Sequence, residues 1–152
     1  MPKKLLVWCR FKPEGNRTAD EIKKLYRRVE RLKGGQKPDE RAAAKRLLAP
    51  DSDPLEEGAV VGNQKAGGAS LNFSAANISI YLSQGPALIE RTQSIGRIER
   101  PGQRNPMRIV DIVATGPKGQ KTIDHHTLRA LRGKEDMARW TVDQWRRILS
   151  EE

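Results

Sequence analysis

The apolar residues of this chain fall in short runs that alternate with stretches of helical spacing. Leu5-Leu6-Val7-Trp8-Cys9-Arg10-Phe11 predicts a buried strand, and Lys12-Pro13-Glu14-Gly15 a turn after it. Thr18 ahead of Asp20-Glu21, with Ile22, Leu25, Val29 and Leu32 at helical spacing, predicts a capped amphipathic helix. Its end is expected to pass into a short strand near Val29–Leu32, before Gly34-Gly35. Pro38-Asp39-Glu40 opens a second helix carrying Ala42, Ala43, Leu47 and Leu48, and residues 49–57 read as a surface loop. Further strands are predicted at Ala59-Val60-Val61-Gly62, at Ile78-Ser79-Ile80-Tyr81-Leu82 and at residues 108–113. Helices are predicted from Leu88 to Gly96, at about Ile123–Leu131 and at about Val142–Leu149, with a turn at Gly116-Pro117-Lys118-Gly119.

Short apolar strands alternating with helices imply a parallel sheet covered on both faces, hence an α/β fold. Ligands of such sheets bind at the carboxyl ends of the strands. The Gly67-Gly68 loop and the segment holding Arg97 and Arg100 both follow strands, so they are expected to share one edge.

Length and charge narrow the picture. The 152 residues suit one core, and a single domain over 1–152 is expected, with 123–152 as a C-terminal helical extension. No apolar run approaches the ~20 residues that span a membrane. The first residues lack the apolar stretch of a signal peptide, and the lone Cys9 lies in an apolar run, so a reduced core thiol and a cytoplasmic setting are expected. The net charge of +10 favours a polyanionic partner such as nucleic acid. It concentrates in residues 1–50, which hold 15 Lys/Arg against 6 Asp/Glu.

The chemistry gathers in Gln93-Ser-Ile-Gly96-Arg97-Ile-Glu-Arg100-Pro-Gly102-Gln103. On a helix, two arginines three apart share a face, and paired guanidiniums suit a phosphate. Upstream, Gln64-Lys65-Ala66-Gly67-Gly68-Ala69-Ser70-Leu71-Asn72 offers glycines that let backbone amides approach a ligand. Lys65, Ser70 and Asn72 are candidate phosphate contacts, and Lys33 a further one. His125 and His126 are adjacent and do not face one another on a helix, so no metal site is expected.

The 93–103 segment resembles motif VI of superfamily 2 helicases, and its Arg-x-x-Arg-x-Gly-Gln extension is similar to the Swi/Snf-type branch. Tyr81-x-Ser83 and Leu88-x-x-Arg91-x-Gln93 resemble versions seen in phage and bacterial members. Residues 64–72 resemble motif V, with Ser70 in place of a glycine, and Leu5–Phe11 resembles the motif IV strand. Arg31-Leu32-Lys33-Gly34-Gly35 with Arg41, Thr122-Ile123-Asp124, and Leu131-x-x-Lys134 resemble further family segments. The resemblance implies a RecA-like three-layer domain, the second half of an ATP-dependent helicase or translocase. Arg97 and Arg100 would be its arginine fingers, reaching across a cleft to ATP on the first half. Gln93, Gly96 and Gly68 would complete that nucleotide side. Lys33, Lys65, Gly67, Ser70 and Asn72 would line a nucleic-acid track, with DNA favoured over RNA. A phage-encoded protein would work in the host cytoplasm.

No Gly-x-x-x-x-Gly-Lys-Ser/Thr and no Asp-Glu-x-His/Asp occurs in the sequence. Those are the parts that hold the nucleotide's phosphates and Mg²⁺. The chain is therefore expected to hold neither ATP nor Mg²⁺ alone, and to need a separate or deleted N-terminal RecA-like half. The competing expectation is a non-catalytic, basic nucleic-acid-binding or assembly protein on the same fold.

Overall fold

The computed structural model describes residues 3–66, 71–101, 103 and 106–150, apart from the side chains of 144, 145 and 147–150. In chain order it contains β1 (Lys4–Trp8), α1 (Lys12–Ile22), β2 (Arg28–Leu32), α2 (Pro38–Leu47) and β3 (Gly58–Gly62). A short 3₁₀ turn (Gln64–Ala66), β4 (Ile78–Tyr81), α3 (Leu88–Ile95), β5 (Arg108–Asp111) and α4 (Ile123–Ser150) complete it. The five strands form one sheet in the order β2-β3-β1-β4-β5. Every pairing is parallel. All strands therefore deliver the chain to the same edge.

Alternation along β1 divides the core in two. Leu5, Val7 and Cys9 join Ala19, Tyr26, Ala59 and Val61 on one face, beneath α1. Leu6 and Trp8 face the other way, among Leu32, Ala44, Leu47, Val60, Phe73, Tyr81 and Ile98. Burial on both faces explains why β1 and β3 read as unbroken apolar runs. Cys9 is a free core thiol, and burial pushes it up to about 11, which keeps it protonated at neutral pH.

Two predicted boundaries are corrected. The expected turn at Lys12–Gly15 is the first turn of α1. Pro13 is tolerated there because its missing N–H would be unpaired anyway, and Glu14 Oε2 accepts the Phe11 N–H at 3.4 Å. Gly15 packs against Arg31: a Cβ there would lie 2.6 Å from the guanidinium, which would have to swing aside. β2 then takes Val29 and Leu32 out of the helical pattern, and Leu25 is left 58% exposed. The second correction is α4. The predicted pair of helices is one 28-residue helix. The apolar periodicity lapses between Leu131 and Val142, but that stretch holds no proline, and Gly133 alone costs only about 1 kcal/mol. Trp140, on this helix, is 63% exposed.

Gly62 sits at a close approach within the sheet, where a Cβ would meet the Trp8 ring at 2.9 Å and Leu32 Cβ at 3.3 Å. Gly62→Ala is expected to destabilise the domain by about 1–3 kcal/mol through overpacking. Urea unfolding of the variant and the parent measures this. An unchanged midpoint would show that the Trp8 ring can yield.

Candidate active edge and nucleic-acid interface

The carboxyl edge of the sheet is tied together by its exit loops. Asn63 Nδ2 donates to the Arg10 carbonyl at 2.6 Å, and the Arg10 N–H to Ser83 Oγ at 2.8 Å. Ser83 in turn donates to the Glu14 carboxylate. The exits of β1, β3 and β4 are thus held by hydrogen bonds that need no ligand.

The two signature segments meet at this edge. Gln64 Nε2 donates to Ser94 Oγ at 3.3 Å, and Arg97 Nη2 to the Gln64 carbonyl at 3.3 Å. The Phe73 N–H donates to the Arg97 carbonyl at 2.7 Å, and Arg100 Nη2 approaches the Leu71 carbonyl at 3.5 Å. The turn after β3 and the turn after α3 are therefore one unit. Gly67, Gly68, Ser70 and Gly102 lie outside the described residues.

Arg97 and Arg100 do not lie on a helix face, which corrects the spacing argument. α3 stops at Ile95, and both arginines follow it in non-helical backbone. The Phe73 N–H takes the Arg97 carbonyl, so that carbonyl serves tertiary structure instead of a helical ladder. The two side chains differ sharply. Arg97 is 2% exposed, with its guanidinium 5.0 Å from the centre of the Trp8 ring. Burial pushes it below the ordinary arginine range, and the like charge of Arg41 adds to this. Arg100 is half-buried, and its Nε is buried with no hydrogen-bond partner among the described residues. A guanidinium donor left without a partner is one that a further acceptor, such as an anion, would stabilise.

The other predicted residues scatter along the edge. Gln93 is exposed, and Gly96 caps α3 with its N–H on the Thr92 carbonyl. The Lys65 side chain is 77% exposed and pairs with Glu90 at 3.4 Å. Asn72 Oδ1 accepts the Ser74 N–H at 3.1 Å, so it shapes its own turn. Lys33 is half-buried beyond β2, at the outer end of the edge and apart from the clamp. Among the described residues no cluster of three or more His, Cys, Asp or Glu could hold a metal ion; His125 Nδ1 accepts the Thr122 N–H at 3.2 Å.

Sequence reading missed what supports the clamp. Arg91 grips Asp111 with two bonds, 2.7 and 3.1 Å, and a third reaches Gln84 Oε1 at 2.9 Å. Its guanidinium lies 3.8 Å from the Tyr81 ring centre, and the Tyr81 hydroxyl meets Ser94 Oγ at 2.7 Å. This pair welds α3 to β4 and β5 from beneath.

No protein-family model matches the sequence, and no match appears among curated proteins. Among solved structures, the chain is similar to the C-terminal part of the Fun30 ATPase domain. The TM-score is 0.68 at 21% identity, over 85% of this chain and 39% of that one. The chain thus spans about two fifths of that chain's length. The shared fold is a RecA-like α/β architecture on an all-parallel five-stranded sheet.

Removing the Asp111 carboxylate would leave the Arg91 cation buried. Asp111→Ala is expected to cost about 3–5 kcal/mol, and Asp111→Asn less, because one acceptor oxygen remains. Thermal and urea unfolding read both, and equal midpoints for Asp111→Ala and the parent would refute the weld.

Proposed function

We propose that this chain is the second RecA-like half of a Swi/Snf-type ATP-dependent DNA helicase or translocase, of the phage or bacterial kind, and that Arg100 and Arg97 serve a nucleotide held by a first half. The observation that carries this reading is the clamp itself. It brings the Gln64–Asn72 and Gln93–Gln103 segments together at the carboxyl edge of an all-parallel sheet. Arg100, half-buried where Arg97 is buried, would offer its guanidinium to a phosphate oxygen. Arg97 holds the Gln64 turn from below and adds positive charge. ATP with Mg²⁺, when bound by the first half, supplies the phosphoryl group on which charge develops. This chain contributes guanidinium donors on one side and, through Lys65 and the loop it begins, contacts to the DNA backbone.

A second reading, a non-catalytic nucleic-acid-binding or assembly protein, is favoured by one observation: Arg97 is 2% exposed, so its reach toward a ligand requires local opening.

The isolated chain is expected to show background ATPase only. When it is completed by a first half carrying the missing phosphate-binding and Mg²⁺-binding motifs, DNA should stimulate hydrolysis. Arg100→Ala should lower that rate by about 10³-fold or more. Robust hydrolysis by the pure chain alone, or an unchanged rate in Arg100→Ala, would sink the reading. Salt-sensitive DNA binding that ignores nucleotide in the completed protein would support the non-catalytic alternative.

A further inference from the structure

The sheet has a topological switch point between β1 and β4. β1 leaves toward β3 and β2 through α1, whose Ala19 and Ile22 lie on the Leu5 face of the sheet. β4 leaves toward β5 through α3, whose Ile95 lies on the Trp8 face. Connections that part in this way open a crevice at the carboxyl ends of the two strands, where open α/β sheets bind ligands. A cleft of about 210 Å³ lies there, lined by Arg10 and Phe11 on one side, Gly85 and Ala87 on the other, with Lys65 and Glu90 at its margin.

Several features of this cleft are costly without a ligand. Phe11 is 57% exposed, although a large aromatic gains most by burial. It also occupies the N-cap of α1, where Ser, Thr, Asp or Asn would stabilise the helix. The Arg10 guanidinium stays 5.3 Å from the Phe11 ring centre. Gly85 lies on that side of the cleft, where even a Cβ would make only ordinary van der Waals contact with the guanidinium, at 3.8 Å. Lys65 holds only an exposed pair with Glu90, which is worth little in water. An accessible ring flanked by two cations is the arrangement that seats a nucleotide: a base on the ring, a phosphate on the cations. The volume falls below the roughly 300–1,000 Å³ of sites that enclose a whole small molecule. The ligand therefore continues outside the cleft, as a strand does.

Resting on the nucleic-acid-binding reading above, we infer that this crevice seats one nucleotide of a single strand, its base against Phe11 and its phosphate between Arg10 and Lys65. Glu90 competes with that phosphate for Lys65.

Fluorescence anisotropy tests this on the full chain, with a labelled oligothymidine of about a dozen nucleotides and a blunt duplex of equal length. Phe11→Ala should weaken oligothymidine binding about five-fold or more and leave duplex binding within about two-fold. Phe11→Leu keeps apolar bulk at the same cap and should be equally weakened; full rescue by Leu would assign Phe11 a structural role and overturn the inference. Arg10→Ala should lower the salt slope for oligothymidine by about one. Glu90→Gln should tighten binding about two-fold by releasing Lys65. Equal loss on strand and duplex in Phe11→Ala, or no loss on either, overturns the crevice while leaving the functional reading intact. A parent chain that binds neither probe overturns both.

Discussion

Arg97 is the side chain on which the edge of this domain depends. A guanidinium at 2% exposure carries a desolvation cost of several kcal/mol, so its surroundings must compensate. The Trp8 ring supplies a cation–π face on one side and the Gln64 carbonyl an acceptor on another. Trp8 belongs to the central strand, paired to Gly62 on one flank and Tyr81 on the other. Arg97 therefore ties both signature segments to the central strand of the sheet. The same residue gives its carbonyl to Phe73, so the chain leaving residues 67–70 is anchored to it as well. A lysine could supply the charge, but not the planar group that rests on a ring while donating to a carbonyl.

The fold was largely legible because the two inner strands β1 and β3 are buried on both faces. Leu5–Trp8 and Ala59–Val61 announce themselves without help from their neighbours. What was not legible depended on partners distant in sequence. Pro13 and Gly15 carry the chemistry of a turn; the first turn of a helix tolerates the proline, and the Arg31 guanidinium packs on the glycine from a distant strand. The candidate site divides in the same way. The residue types of Gln93–Gln103 pointed to phosphate chemistry, and the parallel-sheet rule placed them beside the Gln64 turn. The burial of Arg97 against Trp8 and the grip of Arg91 on Asp111 were hidden; the first follows from packing on β1, the second from the β4–β5 register that sets Tyr81 against Asp111. No local pattern encodes that register.

Charge shows the limits of counting. The surplus in residues 1–50 suggested one basic face, yet much of it is consumed locally. Lys23 and Lys24 pair with Asp20 and Glu21 along α1, and Arg28 is divided between Glu30 and Glu56. Arg31 turns inward to the Gly15 carbonyl. The cations that matter are few, and they owe their importance to position: Arg10 at the exit of β1, Lys65 after β3, Arg97 and Arg100 after α3.

These positions are mechanically linked, which bears on how the two proposed sites would communicate. Lys65 belongs to the same short turn as Gln64, and that turn is held by Ser94 and Arg97 from one side and Asn63 from the other. Asn63 also grips the Arg10 carbonyl. A phosphate drawing Lys65 away from Glu90 would pull on the turn that fixes Arg97. Conversely, an anion drawing Arg97 outward would release the Gln64 carbonyl and loosen the margin of the crevice. Such reciprocity is what linkage demands of any two sites that share an element with alternative arrangements. In this domain the shared element is the three-residue turn Gln64–Ala66, small enough that neither ligand could move it without the other sensing the change.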